Sequence, residues 1–224
     1  MIDIVTATRL SEGAFWETSA LGLSLGRLMR ESRITAYPTY ENKRGLPEIY
    51  NERLASPDCG ELLLFVHDDV WLDDYFIADR VLEGVERFDV IGVAGNRRRQ
   101  PGQGAWGFVD RKMVWDKAEH LSGCVAHGKG PFGLLSSWGP VPAECELMDG
   151  VFLAAKRDTL RQNNVSFDPQ FDFHLYDVDF CRTARERGLR LGTWPICITH
   201  QGKGQFATPH WFEMYDKYIA KWGS

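Results

Sequence analysis

Apolar residues run along this chain in two rhythms. Short unbroken runs at residues 2–7, 34–37, 62–66 and 90–94 lack polar alternation and read as strands covered on both faces. Between them, apolar residues fall at helical spacing. Residues 14–29 group Phe15, Leu21, Leu25 and Leu28, with Ser11 as N-cap and Glu12 just behind it. Residues 46–54 predict a short helix that tolerates Pro47 in its first turn. Residues 75–88 group Phe76, Ile77, Val81, Leu82 and Val85 on one face. Pro38 is expected to stop the second strand. Strand and helix thus alternate through the first 95 residues, the signature of a doubly wound α/β sheet of mostly parallel strands.

The rhythm then changes. Residues 96–107 carry Arg97, Arg98 and Arg99, then Pro101, Gly102, Gly104 and Gly107. Residues 108–115 predict a tight hairpin around Arg111 and Lys112, and residues 117–142, rich in Gly, Ser, His and Trp, show no period and predict a functional loop or lid. Order resumes at 146–156, a strand broken by Asp149 and Gly150, where backbone or a ligand must come close. A short helix at 157–162 and an aromatic-rich connection lead to a helix at 176–188, with acids in its first turn, arginines in its last and Gly188 as C-cap. Strands at 189–194 and 196–199 and an aromatic helix at 211–222 close the chain. There is no internal repeat, and one domain over residues 1–224 accounts for the pattern.

Composition narrows the classes. The chain has 224 residues, 44% of them hydrophobic and 25% charged, which suffices for a sizeable core. A net charge of -5 argues against a partner made of nucleic acid. No apolar run reaches a membrane span, and the N-terminus lacks the basic region of a signal peptide. Five scattered cysteines with no Cys-x-x-Cys pair favour free thiols in a reducing compartment, so a cytoplasmic protein is expected.

The chemistry gathers where the third strand stops. Five apolar residues, Leu62 to Val66, run straight into His67, Asp68 and Asp69, with Asp73 and Asp74 following. Ligands of open α/β sheets bind beyond such strand ends. Crowded carboxylates resist joint ionisation unless a cation sits among them, and residues two apart on a strand share a face, so His67 and Asp69 can reach one ion. The alternative is a solvated acidic loop after a core strand.

Five segments in order resemble family 2 glycosyltransferases. They are Glu41-Asn-Lys-Arg-Gly-Leu-Pro-Glu-Ile-Tyr-Asn51, Leu62-Leu-Leu-Phe-Val-His-Asp-Asp69, Asp149-Gly-Val-Phe-Leu-Ala-Ala-Lys156, the stretch 171–188 with Tyr176, Asp177 and Asp179, and Thr199-His200. They look like that family's Asn-containing segment, its Asp-x-Asp strand, its acceptor-side strand, its Glu-Asp helix start and its late metal-site histidine. The resemblance implies the GT-A fold (a Rossmann-like nucleotide-diphospho-sugar transferase architecture with a mixed, mostly parallel sheet and flanking helices). It implies a nucleotide-sugar-binding half at 1–95, a loop-rich insertion or lid at 96–142 and an acceptor-side half at 143–224. The implied cofactors are Mn2+ or Mg2+ and a UDP- or other nucleotide-sugar donor, and the implied partner is a carbohydrate or glycoconjugate acceptor. The implied ion ligands are Asp69, His67 and His200; Asp177 takes the place of the general base; Thr8, Arg9, Glu41, Asn51 and Asp68 take the nucleotide side.

The sequence also departs from that pattern. His67 stands where the first Asp of Asp-x-Asp is expected, and Tyr176 where the Glu of Glu-Asp is expected. The Asp-Gly-Ser after the second strand and the Gln-x-x-Arg-Trp of processive synthases are missing. Structural alternatives stand beside each role: Asp177 and Asp179 as helix caps, His200 as a satisfied loop histidine, Asp68 as a solvated neighbour, Arg97 to Arg99 as a solvated run, and Trp106, Trp115 and Trp138 as core rather than sugar platforms. The expected activity is metal-dependent, inverting sugar transfer to an acceptor hydroxyl. A nucleotidyltransferase or phosphohydrolase on a similar scaffold, and a non-catalytic nucleotide-sugar-binding module, are the rival readings.

Overall fold

A computed structural model describes residues 1–202 and 204–223. The chain runs β1 (Ile2–Ala7), α1 (Glu12–Thr18), α2 (Ala20–Arg27), β2 (Ile34–Thr39), α3 (Leu46–Ala55), β3 (Leu62–Val66), β4 (Val70–Leu72), α4 (Ile77–Arg87), β5 (Val90–Gly92) and β6 (Ala94–Asn96). A 3-10 turn (Ala118–His120) then leads to β7 (Leu121–His127), β8 (Leu134–Gly139), β9 (Ala143–Cys145), β10 (Leu147–Met148), β11 (Phe152–Lys156), α5 (Arg157–Gln162), α6 (Tyr176–Glu186), β12 (Leu191–Thr193), β13 (Ile198–His200) and α7 (Pro209–Trp222). Among the described residues no helix is long and apolar enough to cross a membrane.

The main sheet has the order β2-β1-β3-β11-β5-β12-β9. β2, β1, β3, β5 and β12 point one way, and β11 and β9 run against them. Every residue of β3 is buried, as an uninterrupted apolar strand in mid-sheet requires. A smaller sheet, β10-β6-β7-β13-β4 with β8 on β7, packs at the carboxyl end of β3. It carries the second half of the site, because β13 delivers His200 beside Val70 of β4.

Several elements differ from the sequence pattern for local reasons. The helix expected over 14–29 breaks at Ser19, whose side chain donates to the Phe15 carbonyl and accepts the Gly22 N–H at 2.9 Å, capping α2 where α1 ends. Pro38 lies inside β2 rather than ending it; β2 is an edge strand, where a missing N–H costs no ladder bond. The single strand expected at 90–94 is two, because the chain leaves one sheet for the other at Val93. The hairpin at 108–115 reduces to one bridge between Phe108 and Trp115.

The largest correction concerns 117–142. These residues form the β7–β8 hairpin rather than an aperiodic loop. Gly123, at φ 113°, interrupts the pairing with a register shift, and a Cβ there would sit 2.2 Å from the Val93 carbonyl oxygen. That irregularity erases the two-residue alternation a sequence pattern needs.

Candidate active site

β3 ends at Val66, and the next three residues turn over the end of the sheet. His67 is tied there by its N–H to the Val151 carbonyl at 3.3 Å. β13 arrives from the smaller sheet and sets His200 Nε2 3.2 Å from Asp69 Oδ2. One ligand atom each from His67, Asp69 and His200 falls within 4.8 Å of the others. The three residues expected to hold an ion are therefore brought together, although 133 positions separate His67 from His200 in the sequence.

The electrostatics suit a cation. Burial works to raise the Asp69 carboxyl, but the adjoining His200 and His67 outweigh it and hold it below the ordinary carboxylate range. Burial opposes the charge on His200, and Asp69 overcomes it, so the imidazole is raised. Burial lowers His67 against the pull of Asp69 and Asp149. Asp69 Oδ1 is buried with no hydrogen-bond partner among the described residues. An orphaned carboxylate oxygen between two imidazoles fits a divalent ion such as Mn2+ or another first-row metal better than Mg2+, which favours all-oxygen surroundings. Gly202 lets the backbone pass closely, since a Cβ there would lie 2.5 Å from Asp69 Oδ2 and 2.8 Å from His200 Nε2.

A second buried carboxylate lies in the first turn of α6. Leu175 adopts φ 61°, a left-handed conformation costly for leucine, and launches α6 so that Tyr176 and Asp177 face the end of β3. Asp177 Oδ2 accepts the Gly150 N–H at 2.9 Å. Burial, then the Asp149 carboxylate, push Asp177 up to about 7 against the backbone N–H groups that hold it down. Asp149 is oriented by the Trp106 indole, which donates to its Oδ2 at 2.7 Å, and by the Val151 N–H.

Gly150 is gripped from both sides. Its N–H goes to Asp177 and its carbonyl accepts from the Tyr176 hydroxyl at 3.0 Å. A Cβ at this position would meet Tyr176 Oη at 2.3 Å and Asp177 Cβ at 2.8 Å. Tyr176 Oη also lies 2.8 Å from His67 Nε2. A chain of contacts thus runs from Asp177 through Gly150 and Tyr176 to His67, which sits beside Asp69 and His200.

The remaining candidates divide. Thr8 and Asp68 adjoin: burial raises the Asp68 carboxyl and the Thr8 hydroxyl beside it opposes the shift. The Glu41 N–H donates to the Leu10 carbonyl and Asn42 to Thr8, so the loop at 8–10 and that at 41–42 form one rim, on which Arg9 and Glu41 are exposed. Asn51 has a different task. Its amide accepts from the Phe167 N–H at 3.0 Å and donates to the Phe167 carbonyl at 2.7 Å, which leaves it holding chain rather than a ligand. Asp179 is no helix cap either; it is fully buried and accepts from Lys221 and Trp222 of α7. Trp106 is buried core with its N–H spent on Asp149, while Trp115 stays half exposed against Phe108. Asp149, Tyr176 and Trp106 adjoin the site in roles their sequence positions do not announce, and the Asp149-Gly150 break in an apolar strand is the signal for the first.

Three hydrogen bonds tie the tip of the β7–β8 hairpin to β13, to Gln201 just after it and to Asp73 after β4. The Phe132 N–H donates to Asp73 Oδ2 at 3.0 Å, the Gly133 N–H to the Thr199 hydroxyl at 3.0 Å, and Gln201 to the Lys129 carbonyl at 2.7 Å.

No protein-family model and no curated protein matches the sequence. Among solved structures, the fold is similar to the catalytic domain of Drosophila beta1,4-galactosyltransferase 7 in complex with xylobiose, with TM-score 0.54 and 11% identity, over 96% of this chain and 79% of that one. It is also similar to GalNAc-T7 solved with UDP, GalNAc and Mn2+, with TM-score 0.53 and 11% identity, over 99% of this chain and 48% of that one. The chain spans about half the length of the latter. The architecture is thus GT-A-like, a mixed, mostly parallel sheet with flanking helices.

Proposed function

We propose that this protein is a glycosyltransferase that moves a sugar from a nucleotide-sugar to an acceptor hydroxyl with inversion at the anomeric carbon. The observation that carries the reading is a His67–Asp69–His200 cluster able to hold an ion, linked through Tyr176 and Gly150 to a buried carboxyl lifted to about 7. His67, Asp69 and His200 would hold the divalent ion, which when bound supplies Lewis-acid neutralisation of the departing diphosphate. Thr8 and Asp68, with Arg9 and Glu41 on the rim, form the nucleotide side. Asp177 accepts the acceptor hydroxyl proton at its carboxylate, and its lifted pKa makes it a competent base near neutral pH. The Gly150 and Val178 N–H groups hold that carboxylate in place, while the Asp149 charge raises it. The hairpin tip, pinned by Asp73 and Thr199, excludes water that would hydrolyse the donor. The fold likeness supports the reading, since both neighbours are named as glycosyltransferases or solved with a sugar nucleotide's components.

The test is donor turnover. The protein is incubated with Mn2+, a panel of nucleotide-sugars and mixed carbohydrate acceptors, and nucleoside diphosphate release and product anomeric configuration are followed by NMR. Release that needs Mn2+ and gives the inverted glycoside supports the proposal. Binding of nucleotide with no turnover across the panel points instead to a non-catalytic module.

A further inference from the structure

The two positions at which the sequence leaves the family pattern, His67 and Tyr176, touch each other at 2.8 Å across 109 residues of chain. Proton bookkeeping at this contact has one solution. Tyr176 Oη carries one hydrogen and lies 3.0 Å from the Gly150 carbonyl, which can only accept. If that hydrogen turned to His67, the hydroxyl and carbonyl oxygens would face each other with lone pairs alone, inside a site where Tyr176 is buried. The hydroxyl therefore donates to Gly150 and accepts from His67, which must carry its proton on Nε2.

We propose that Tyr176 is a positioning residue for the ion site: its hydroxyl locks His67 as the Nε2–H tautomer and leaves Nδ1 as the nitrogen free to ligate. A metal-binding imidazole is held in this way by an acceptor on its other ring nitrogen. Here that acceptor is a phenol, itself fixed by the carbonyl of Gly150, whose N–H donates to Asp177. Phe173, stacked on the His67 ring at 6.3 Å and 23°, limits its rotation further. Tyr176 thereby links His67 to Gly150, whose N–H holds the next residue in the chain, Asp177. The proposal deepens the sugar-transfer reading and rests on it only for what the bound ion would do.

The experiment is run on the full chain without donor. Long-range 1H–15N NMR of the metal-free protein reports the tautomer of His67, and Mn2+ alone is titrated by EPR into the parent and Tyr176→Phe. The expected results are an Nε2–H signature in the parent, mixed tautomers in Tyr176→Phe, and a 10- to 100-fold weaker Mn2+ affinity in the variant. An Nδ1–H signature in the parent overturns the proposal by itself, even if the variant fails to fold. So does a folded variant that keeps both the parent tautomer and Mn2+ affinity within twofold. Absence of sugar transfer, with the NMR and Mn2+ results as expected, would sink the transferase reading and leave the role of Tyr176 standing.

Discussion

At the scale of single residues, the account turns on Asp177. Its carboxyl is raised to about 7 by burial and by Asp149, so the proton is retained in the folded protein at pH values where the unfolded chain has already lost it. Two consequences follow with fixed sign. Transfer by a base needs the ionised form, so kcat/KM should fall about tenfold per unit as pH drops below about 7. Ionising Asp177 in the folded state is unfavourable, so its stability penalty grows as pH rises from about 4 and is complete above about 7. In the metal-free protein, Asp177→Asn should be more stable than the parent at pH 8, by on the order of 2–4 kcal/mol, with the gap closing towards pH 4. The same variant should lose 10²–10⁴-fold in transfer. The grouping of His67, Asp69 and His200 was legible in the sequence because an unbroken apolar strand ends in His67, Asp68 and Asp69 and because His200 follows the strand expected at 196–199. Asp149 and Tyr176 were not, since the first reads as a turn residue and the second as a departure. Asn51 misled for the opposite reason: it lies in a segment that resembles the family's nucleotide side, yet both ends of its amide bind Phe167.

At the scale of elements, the junction of β10 and β11 is the point where geometry leaves no slack. Asp149 and Gly150 divide the strand expected at 146–156 so that the chain can turn beneath the start of α6. Gly150→Ala should destabilise the fold by about 2 kcal/mol through overpacking against Tyr176 and Asp177, and should remove transfer more completely than the stability loss explains. Thermal melting beside initial-rate measurement separates the two effects. Strands and helices with a clean period were recoverable from the sequence, including α4, α5 and α6. The elements missed are those set by contacts distant in sequence. Ser19 breaks a helix through capping, and β7 holds its place because β6, β8 and β13 pair with it, although its own sequence has no strand rhythm.

At the scale of the molecule, α7 closes the chain back onto α6 and the segment before it. Lys221 donates to Asp168 and Asp179, and the Trp222 indole donates to Asp179 at 2.6 Å. Asp179 lies on α6 two residues from Asp177, so the strap steadies the helix that presents Asp177. Lys221→Met leaves a buried carboxylate without its cation and should cost about 3 kcal/mol, lowering Tm by roughly 6–12 °C by calorimetry. The layered architecture was legible because the first 95 residues alternate by period alone, while the docking of the smaller sheet depends on pairings no single segment announces. The central claim is that one cleft holds an ion at Asp69 and a base at Asp177, and the melting temperature with UDP or GDP plus Mn2+ tests it most directly. With ligand at about 100 times its Kd, the parent and Asp177→Asn should both gain roughly 5–10 °C, and Asp69→Ala should gain nothing. A full gain in Asp69→Ala would contradict the account.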